Sequence, residues 1–344
     1  MKNNFRNIAK ITLVLTYLVI IAGAFVRMTG SGMGCPDWPK CFGYYIPPTE
    51  HEQLKWKPNH EYKKGQVIIL DESLQVAKTD FITSDVFTKS NWETYSKHDY
   101  AVFNPWHTWV EYVNRLLGAL AGLATLIMAI ASINYWKKNK VITLLSVFVV
   151  LGMGFQAWLG KTVVDSNLAP LKITIHMVMA LVIVAAILFI IHKTNNKINN
   201  YKYNSTFKNI LIFASFLTLI QIILGTHVRQ FVDEQAKILG EENTSLWLNN
   251  PTITFYIHRS FSIIVLLVNG YLFYLLKRAK LNLKKLNWVV SILILEVVSG
   301  ISMVYLHFPF GSQTVHLVLA SILFGVQFYL VLETFNAKNI PQTL

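Results

Sequence analysis

Residues 171–191 read LKITIHMVMALVIVAAILFII, in which His176 is followed by fifteen apolar residues in succession. At about 1.5 Å per residue, a helix of this length crosses the roughly 30 Å apolar core of a bilayer. An ionisable side chain is costly inside a membrane, so it is a candidate for function by default. The stretch therefore predicts a transmembrane helix with one functional histidine near its beginning.

Seven other segments are long and apolar enough to cross a bilayer. The 344-residue sequence contains 53% hydrophobic and only 14% charged residues, whereas soluble domains carry about 25% charge. This composition excludes a soluble globular protein and also a disordered one. We expect an all-α integral membrane protein with eight transmembrane helices, at 9–27, 109–132, 141–160, 171–191, 208–228, 252–276, 287–305 and 313–334.

Lysines and arginines of the short connections fall on one side of the predicted helices. They include Lys2, Arg6 and Lys10 before the first helix, Lys137, Lys138 and Lys140 after the second, and Lys277, Arg278 and Lys280 after the sixth. Because basic connections stay in the cytoplasm, we expect a multi-pass protein of the cell inner membrane with both termini cytoplasmic. The net charge of +13 is then explained by basic connections that face anionic lipid headgroups. We therefore expect no nucleic-acid partner.

The same boundaries divide the chain into six parts. They are the first helix (1–27), an external segment with two cysteines (28–107, hereafter the insert), helices two to four (108–192), a cytoplasmic linker (193–207), helices five to eight (208–335) and a cytoplasmic tail (336–344). The insert is too long for a simple connector, so we expect it to cap the outer membrane surface.

The two sets of four helices share sequence features. GAFVR (23–27) ends the first helix and GTHVR (225–229) ends the fifth, while EYVNR (111–115) begins the second and FYIHR (255–259) the sixth. In both sets a glycine precedes a histidine by 16 residues: Gly160 and His176, and Gly300 and His316. These matches predict two similar four-helix bundles related by a parallel repeat.

Each even-numbered helix begins with a polar side chain at a similar depth. We call these four residues, Asn114, His176, His258 and His316, the polar layer. Histidines on facing helices suit axial ligation of heme iron, and a small residue follows each position by four (Gly118, Ala180, Ser262 and Ala320), where a flat ring can approach the helix. The alternatives stay open: hydrogen-bonding histidines, and small residues at ordinary helix contacts.

Charged residues near the polar layer have two interpretations each. Arg115 and Arg259 adjoin layer positions, and Arg27 and Arg229 end helices, so all four are candidates for binding heme propionates. The alternative is that they extend to the membrane interface. Glu111 is a candidate catalytic carboxylate that shuttles protons, or else the ion-pair partner of Arg115 four residues later.

Two cysteines, Cys35 and Cys41, lie in the insert on the oxidising side of the membrane. We expect them to form a disulfide that closes a short loop. The sequence leaves open whether this bond is a structural staple or a thiol–disulfide relay.

Taken together, these features resemble the heme A synthases. The resemblance covers the eight helices in two halves. It rests on RMTGSG at 27–32, the Cys35 and Cys41 pair, the Glu-Tyr-x-x-Arg motif that begins at Glu111, and the residues His176, His258, Arg259 and His316.

The resemblance implies an oxidoreductase that converts heme O to heme A by two oxidations of a ring methyl to a formyl group. It implies that His258 and His316 hold a heme b that transfers electrons, that the N-terminal half holds the substrate heme, and that Glu111 is catalytic. The cysteine pair would be a disulfide connected with electron transfer. Heme O synthase, a quinol or another electron donor, and heme-copper oxidase assembly are the implied partners.

One residue departs from the family pattern, because Asn114 stands where the family has a histidine. Asparagine is a poor iron ligand, so we expect the N-terminal site to hold iron through His176 alone or to use another group as the second ligand. The departure gives weight to a rival, a heme-binding electron-transfer or oxidase-assembly protein without synthase activity. A transporter with parallel repeats is a second rival, but it would place polar residues near the helix centres.

Overall fold

The computed structural model describes residues 2–98, 100–195, 204–281 and 283–335. The predicted tail and residues 196–203 of the predicted linker lie outside this part of the chain. The described residues form eight long α-helices, each long and apolar enough to cross a membrane, which confirms the predicted fold class. They are α1 (Lys2–Met28), α2 (Pro105–Ser132), α3 (Lys140–Asp165), α4 (Pro170–Lys193), α5 (Ser205–Leu239), α6 (Ile253–Arg278), α7 (Lys285–Tyr305) and α8 (Ser312–Phe335).

Local sequence signals set the helix ends. The Asn104 side chain accepts hydrogen bonds from the first N–H groups of α2, and Pro105 follows it as the first helical residue. Helix α5 extends eleven residues past the predicted end at 228, because neither glycine nor proline interrupts the chain before Gly240. Gly240 has φ of 93°, a conformation that stops the helix. The connection that the predicted helices leave between 228 and 252 is therefore helical in its first half.

The helices pack as two groups of four. Helices α1, α2, α3 and α4 contact one another in that cyclic order, and α5, α6, α7 and α8 do the same. The groups meet where α8 contacts α1 and α4, and where α4 contacts α5. At one of these contacts the Tyr17 hydroxyl donates to the Ser321 carbonyl oxygen at 3.3 Å, beside a glycine, Gly325, that has no room for a Cβ. The parallel repeat between the groups stays a prediction.

The insert forms small antiparallel sheets, a fold that its sequence did not reveal. Strands β2 (Val67–Leu70), β3 (Ser73–Ala77) and β5 (Trp92–Thr94) pair in that order, and β1 (Glu61–Tyr62) pairs with β4 (Phe81–Ile82). All-α architecture thus holds for the membrane part, and the insert adds short strands. It follows α1 and precedes α2, so it lies at one end of the bundle, hereafter the insert end.

Candidate functional site

Each residue of the polar layer lies against a glycine of the preceding odd-numbered helix. The helices approach closely there because glycine has no side chain to separate them. A Cβ built on the glycine would lie 3.9 Å from Asn114 Oδ1 at Gly23, 3.8 Å from His176 Cε1 at Gly160, 3.2 Å from His258 Cε1 at Gly225 and 3.6 Å from His316 Cε1 at Gly300. The same contact therefore recurs in all four helix pairs.

A second recurring contact involves glutamines that sequence reasoning missed. Gln156 lies four residues before the layer glycine of α3, and its amide nitrogen donates to the His176 carbonyl oxygen at 3.0 Å. Gln221 occupies the equivalent position in α5 and donates to the His258 carbonyl oxygen, also at 3.0 Å. A polar residue one turn before a glycine in an apolar helix was the available signal. These bonds hold the backbone of the layer histidines.

The corresponding position of α7 carries a carboxylate, Glu296, which contacts the imidazole of His316 instead of its backbone. Glu296 Oε2 lies 2.9 Å from His316 Nδ1, and Ser299 Oγ lies 2.8 Å from the same nitrogen. Glu296 is buried, with 9% of its surface exposed. Sequence reasoning did not single out either residue.

His258 and His316 face each other with ring centroids 6.5 Å apart and an angle of 75° between the rings. With metal–nitrogen bonds of about 2.0 Å, two imidazoles on opposite sides of one iron have centroids about 6 Å apart. His258 Nδ1 is also buried without a hydrogen-bond partner among the described residues. The pair therefore fits the axial ligands of a heme iron.

A bare metal ion is a poorer match to the described part of the chain. No group of three or more His, Cys, Asp or Glu side chains stands there in an arrangement that could hold an ion. Two imidazoles suffice for heme, because the porphyrin supplies the other four ligands.

In the N-terminal half the polar layer has one imidazole instead of two. His176 lies on α4 and Asn114 on α2, and both His176 Nδ1 and Asn114 Oδ1 are buried without a hydrogen-bond partner among the described residues. A buried polar atom without a partner is costly, so both atoms are suited to contacting a ligand. This half thus offers one iron ligand and one hydrogen-bonding amide.

Glu111 and Arg115 form the ion pair that the sequence left as one of two interpretations. Glu111 Oε1 lies 2.5 Å from Arg115 Nη2, and Glu111 Oε2 accepts from the Cys35 backbone N–H at 2.7 Å. Arg115 also donates to the carbonyl oxygens of Cys35, Asp37 and Lys40 at 2.8–2.9 Å. All five N–H groups of Arg115 are used in these bonds. These bonds hold the Arg115 side chain on the cysteine loop, and its binding of a heme propionate stays a prediction.

The expected disulfide between Cys35 and Cys41 is present. The loop that it closes is held by further contacts within the insert. Tyr95 donates its hydroxyl to the Pro36 carbonyl oxygen at 3.1 Å, and burial raises the pKa of Tyr95 to about 12, which keeps this donor protonated. The disulfide therefore lies in a fixed loop directly above α2.

Asp37 lies within the same loop and holds the backbone that follows Cys41. Its carboxylate accepts hydrogen bonds from the backbone N–H groups of Phe42 and Gly43. Burial raises the pKa of Asp37, although these two bonds and the nearby Arg115 charge act in the opposite direction.

The other candidate propionate ligands differ in their surroundings. Arg27 and Arg229 share one carboxylate, Asp233: Arg27 Nε lies 2.8 Å from Oδ2, and Arg229 Nη2 lies 2.7 Å from Oδ1. Asp233 lies on the unexpected extension of α5, so the sequence did not predict this cluster. Arg259 is exposed and lies over the ring of Tyr256, 5.4 Å from its centroid. The structure thus joins Arg27 and Arg229 and leaves Arg259 beside aromatic rings of its own helix.

The fold and the site define a multi-pass membrane protein whose polar layer has two facing imidazoles in one half and one imidazole in the other. Residues 6–328 match the model of the COX15-CtaA family, described as cytochrome oxidase assembly protein, and the chain belongs to this family. The resemblance drawn from the motifs is thereby confirmed. Family membership supports a role in heme A biosynthesis and an oxidoreductase activity.

Three relatives named heme A synthase illustrate the similarity. The protein of Shewanella oneidensis is 25% identical over 89% of both chains. That of Wolbachia pipientis wMel is 24% identical over 92% of this chain and 88% of its own. The protein of Flavobacterium johnsoniae is 22% identical over 92% of this chain and 93% of its own. The similarity therefore spans the membrane helices and the insert together.

Proposed function

We propose that this chain is a heme A synthase, which oxidises a ring methyl of heme O to a formyl group and so supplies heme A to heme-copper terminal oxidases. The observation that carries this proposal is the facing pair His258 and His316, with ring centroids 6.5 Å apart, in a chain of this family. The geometry supports a heme site, and the family supports the substrate.

In the C-terminal half, His258 and His316 would hold a resident heme b. Two imidazoles would give this heme an iron site suited to exchanging single electrons. The protein contributes the spacing of the rings: Gln221 holds the backbone of His258, and Gly225 lets α5 and α6 approach closely. Arg259 adjoins His258 on α6 and is the candidate partner of a propionate, since a guanidinium donates two parallel hydrogen bonds to a carboxylate.

In the N-terminal half, His176 and Asn114 would hold the substrate, heme O. His176 is the one candidate iron ligand, and the Asn114 amide is a hydrogen-bonding group on the facing helix. Arg27 and Arg229 would orient the substrate propionates from the cluster that they form with Asp233.

Glu111 is the proposed catalytic carboxylate. It lies one turn before Asn114 and bonds to the Cys35 N–H, so one side chain links the substrate pocket to the disulfide loop. Its proposed role is to hold or release a proton at its carboxylate while the methyl group is oxidised. Arg115 is the ion-pair partner of the charged form of this carboxylate.

The remaining parts of the proposal concern partners and placement. We infer an inner-membrane protein with both termini cytoplasmic, because the basic connections lie at one end of the bundle and the insert at the other. Heme O would come from heme O synthase, and electrons from a quinol or another donor.

A second function is favoured by one observation. Asn114 leaves the N-terminal half with one imidazole, and this suits a heme-binding electron-transfer or assembly protein that lacks synthase activity.

Extracted hemes distinguish the two functions. Cells that make heme O are compared with and without this chain, and the hemes are identified by mass spectrometry. A formyl-bearing heme that appears only with the chain supports the synthase. Bound heme without any formyl product supports the electron-transfer protein.

In the same assay, the Glu111→Gln variant should retain bound heme and form no product. Full product formation would show that Glu111 is only the partner of Arg115.

A further inference from the structure

The three histidines of the polar layer differ in what holds the imidazole ring. Among the described residues, His176 Nδ1 and His258 Nδ1 are buried without a hydrogen-bond partner. His316 Nδ1 instead has two partners on α7, Glu296 Oε2 at 2.9 Å and Ser299 Oγ at 2.8 Å. His316 is thus the layer histidine whose imidazole ring is held by contacts at its Nδ1 atom.

The hydrogen bonds decide which nitrogen of His316 carries the hydrogen. The Ser299 hydroxyl donates its single hydrogen to the Glu296 backbone carbonyl oxygen at 2.9 Å, so Ser299 Oγ presents a lone pair to the imidazole. The Glu296 carboxylate is also an acceptor. Since both neighbours of Nδ1 are acceptors, Nδ1 carries the hydrogen. The lone pair then lies on Nε2, the nitrogen that remains for a metal.

Packing alone does not explain a carboxylate at position 296. The equivalent positions of α3 and α5 hold Gln156 and Gln221, which donate to the backbone of the layer histidine. An uncharged amide therefore serves the same helix contact in two other pairs. A buried charge in a membrane helix is costly and defaults to a functional role. The Glu296 carboxylate contacts the ring of His316 rather than its backbone.

We propose that Glu296, assisted by Ser299, is a positioning residue that fixes the tautomer of His316 and increases its electron donation to iron. The proposal rests on the proposed function, in which His316 is an axial ligand of heme b. A carboxylate that accepts from the far nitrogen of a ligating imidazole raises the basicity of that ligand. Ferric iron carries more positive charge than ferrous iron, so this contact stabilises the ferric state and lowers the reduction potential.

The test compares the purified holoprotein with the Glu296→Gln variant by potentiometric titration and by the EPR spectrum of the ferric heme. Glutamine keeps the size of the side chain and removes its charge. We expect Glu296→Gln to retain heme and the low-spin spectrum. Its preference for ferric iron should fall about tenfold. The midpoint potential should therefore rise by about 59 mV for this one-electron couple.

Glu333→Gln is the matched control. Glu333 is a buried glutamate of α8 that pairs with Lys285, 17 residues beyond His316 and about 25 Å away along the helix axis. The same chemical change there should leave the potential at the wild-type value. An equal rise in Glu333→Gln and Glu296→Gln would overturn the proposal, because the effect would then come from any lost charge.

Ser299→Ala keeps the proposal testable if Glu296→Gln fails to fold. It removes one of the two acceptors at Nδ1, so we expect a smaller rise in potential in the same direction. A wild-type potential in Glu296→Gln, or in Ser299→Ala where the first variant does not fold, would overturn the proposal. Absence of a low-spin heme spectrum from the wild-type protein would instead overturn the proposed function.

Discussion

The two halves of the molecule share one kind of helix contact and differ in the side chains around it. Both place polar residues against glycines of neighbouring helices, but the C-terminal half has the facing imidazoles of His258 and His316, whereas the N-terminal half pairs His176 with Asn114. The N-terminal half also carries Glu111 beneath the disulfide loop.

The comparison teaches how one architecture can support two tasks. Two imidazoles 6.5 Å apart suit a permanently bound cofactor that only exchanges electrons. A single imidazole, an amide and a nearby carboxylate suit a ligand that must react and leave. On our proposal the N-terminal half holds the substrate and the C-terminal half holds the electron carrier.

Loss of either facing histidine should have the largest effect. We expect His258→Ala and His316→Ala to abolish the low-spin bis-imidazole spectrum of the purified protein, because each removes one of two axial ligands. His176→Ala should retain that spectrum, since His176 belongs to the other half. Visible and EPR spectra check this, and an unchanged spectrum in either C-terminal variant would refute the ligand assignment.

Asn114→His should make the N-terminal half resemble the C-terminal one. Gly23 lies against Asn114 as the other layer glycines lie against histidines, so the replacement puts the same pair of residue types at this contact. In protein loaded with heme, we expect a second low-spin signal of about one equivalent per chain. The reciprocal variant His258→Asn should lose the existing signal. A loaded Asn114→His protein with one signal would mean that the halves differ in more than this residue.

Arg115→Ala should destabilise the N-terminal half alone. It removes five hydrogen bonds and leaves the buried Glu111 without its ionic partner, and breaking a buried ion pair costs about 3–5 kcal/mol. The free energy of unfolding in detergent measures the loss. Arg278→Ala, at the exposed end of α6, is the control and should stay within about 0.5 kcal/mol of wild type. A loss below about 1 kcal/mol for Arg115→Ala would show that these bonds do not hold the loop.

The smallest effect concerns the glycine contacts. A Cβ on Gly225 would lie 3.2 Å from His258 Cε1, closer than ordinary contact, whereas the equivalent distance at Gly23 is 3.9 Å. Gly225→Ala should therefore cost about 1–3 kcal/mol of stability and weaken heme retention, and Gly23→Ala should be nearly neutral. Equal thermal stability of the two variants would show that the closer approach has no energetic consequence.

Hydropathy and spacing were sufficient to predict the membrane part. The eight helices follow from apolar runs, and the contacts of the polar layer fall at histidines and one asparagine that the shared motifs single out. Cys35 and Cys41 were correctly paired because they are the two cysteines of the chain, separated by a short loop. These signals are local or periodic, so one sequence reveals them.

The remaining features depend on contacts between distant residues. Strands β2, β3 and β5 of the insert pair through backbone bonds that leave no periodic trace in so short a segment. Asp233 meets Arg27 because α5 runs on past the predicted span. The sequence shows Glu296 as a lone carboxylate in an apolar helix, and its contact with His316 appears only in the structure.

The heme content and EPR spectrum of the purified wild-type protein test the central claim most directly. We predict one low-spin heme b with two imidazole ligands per chain, lost in His258→Ala. Protein that is colourless, or that carries only high-spin heme, after expression with ample heme would contradict the claim that His258 and His316 bind one iron between them.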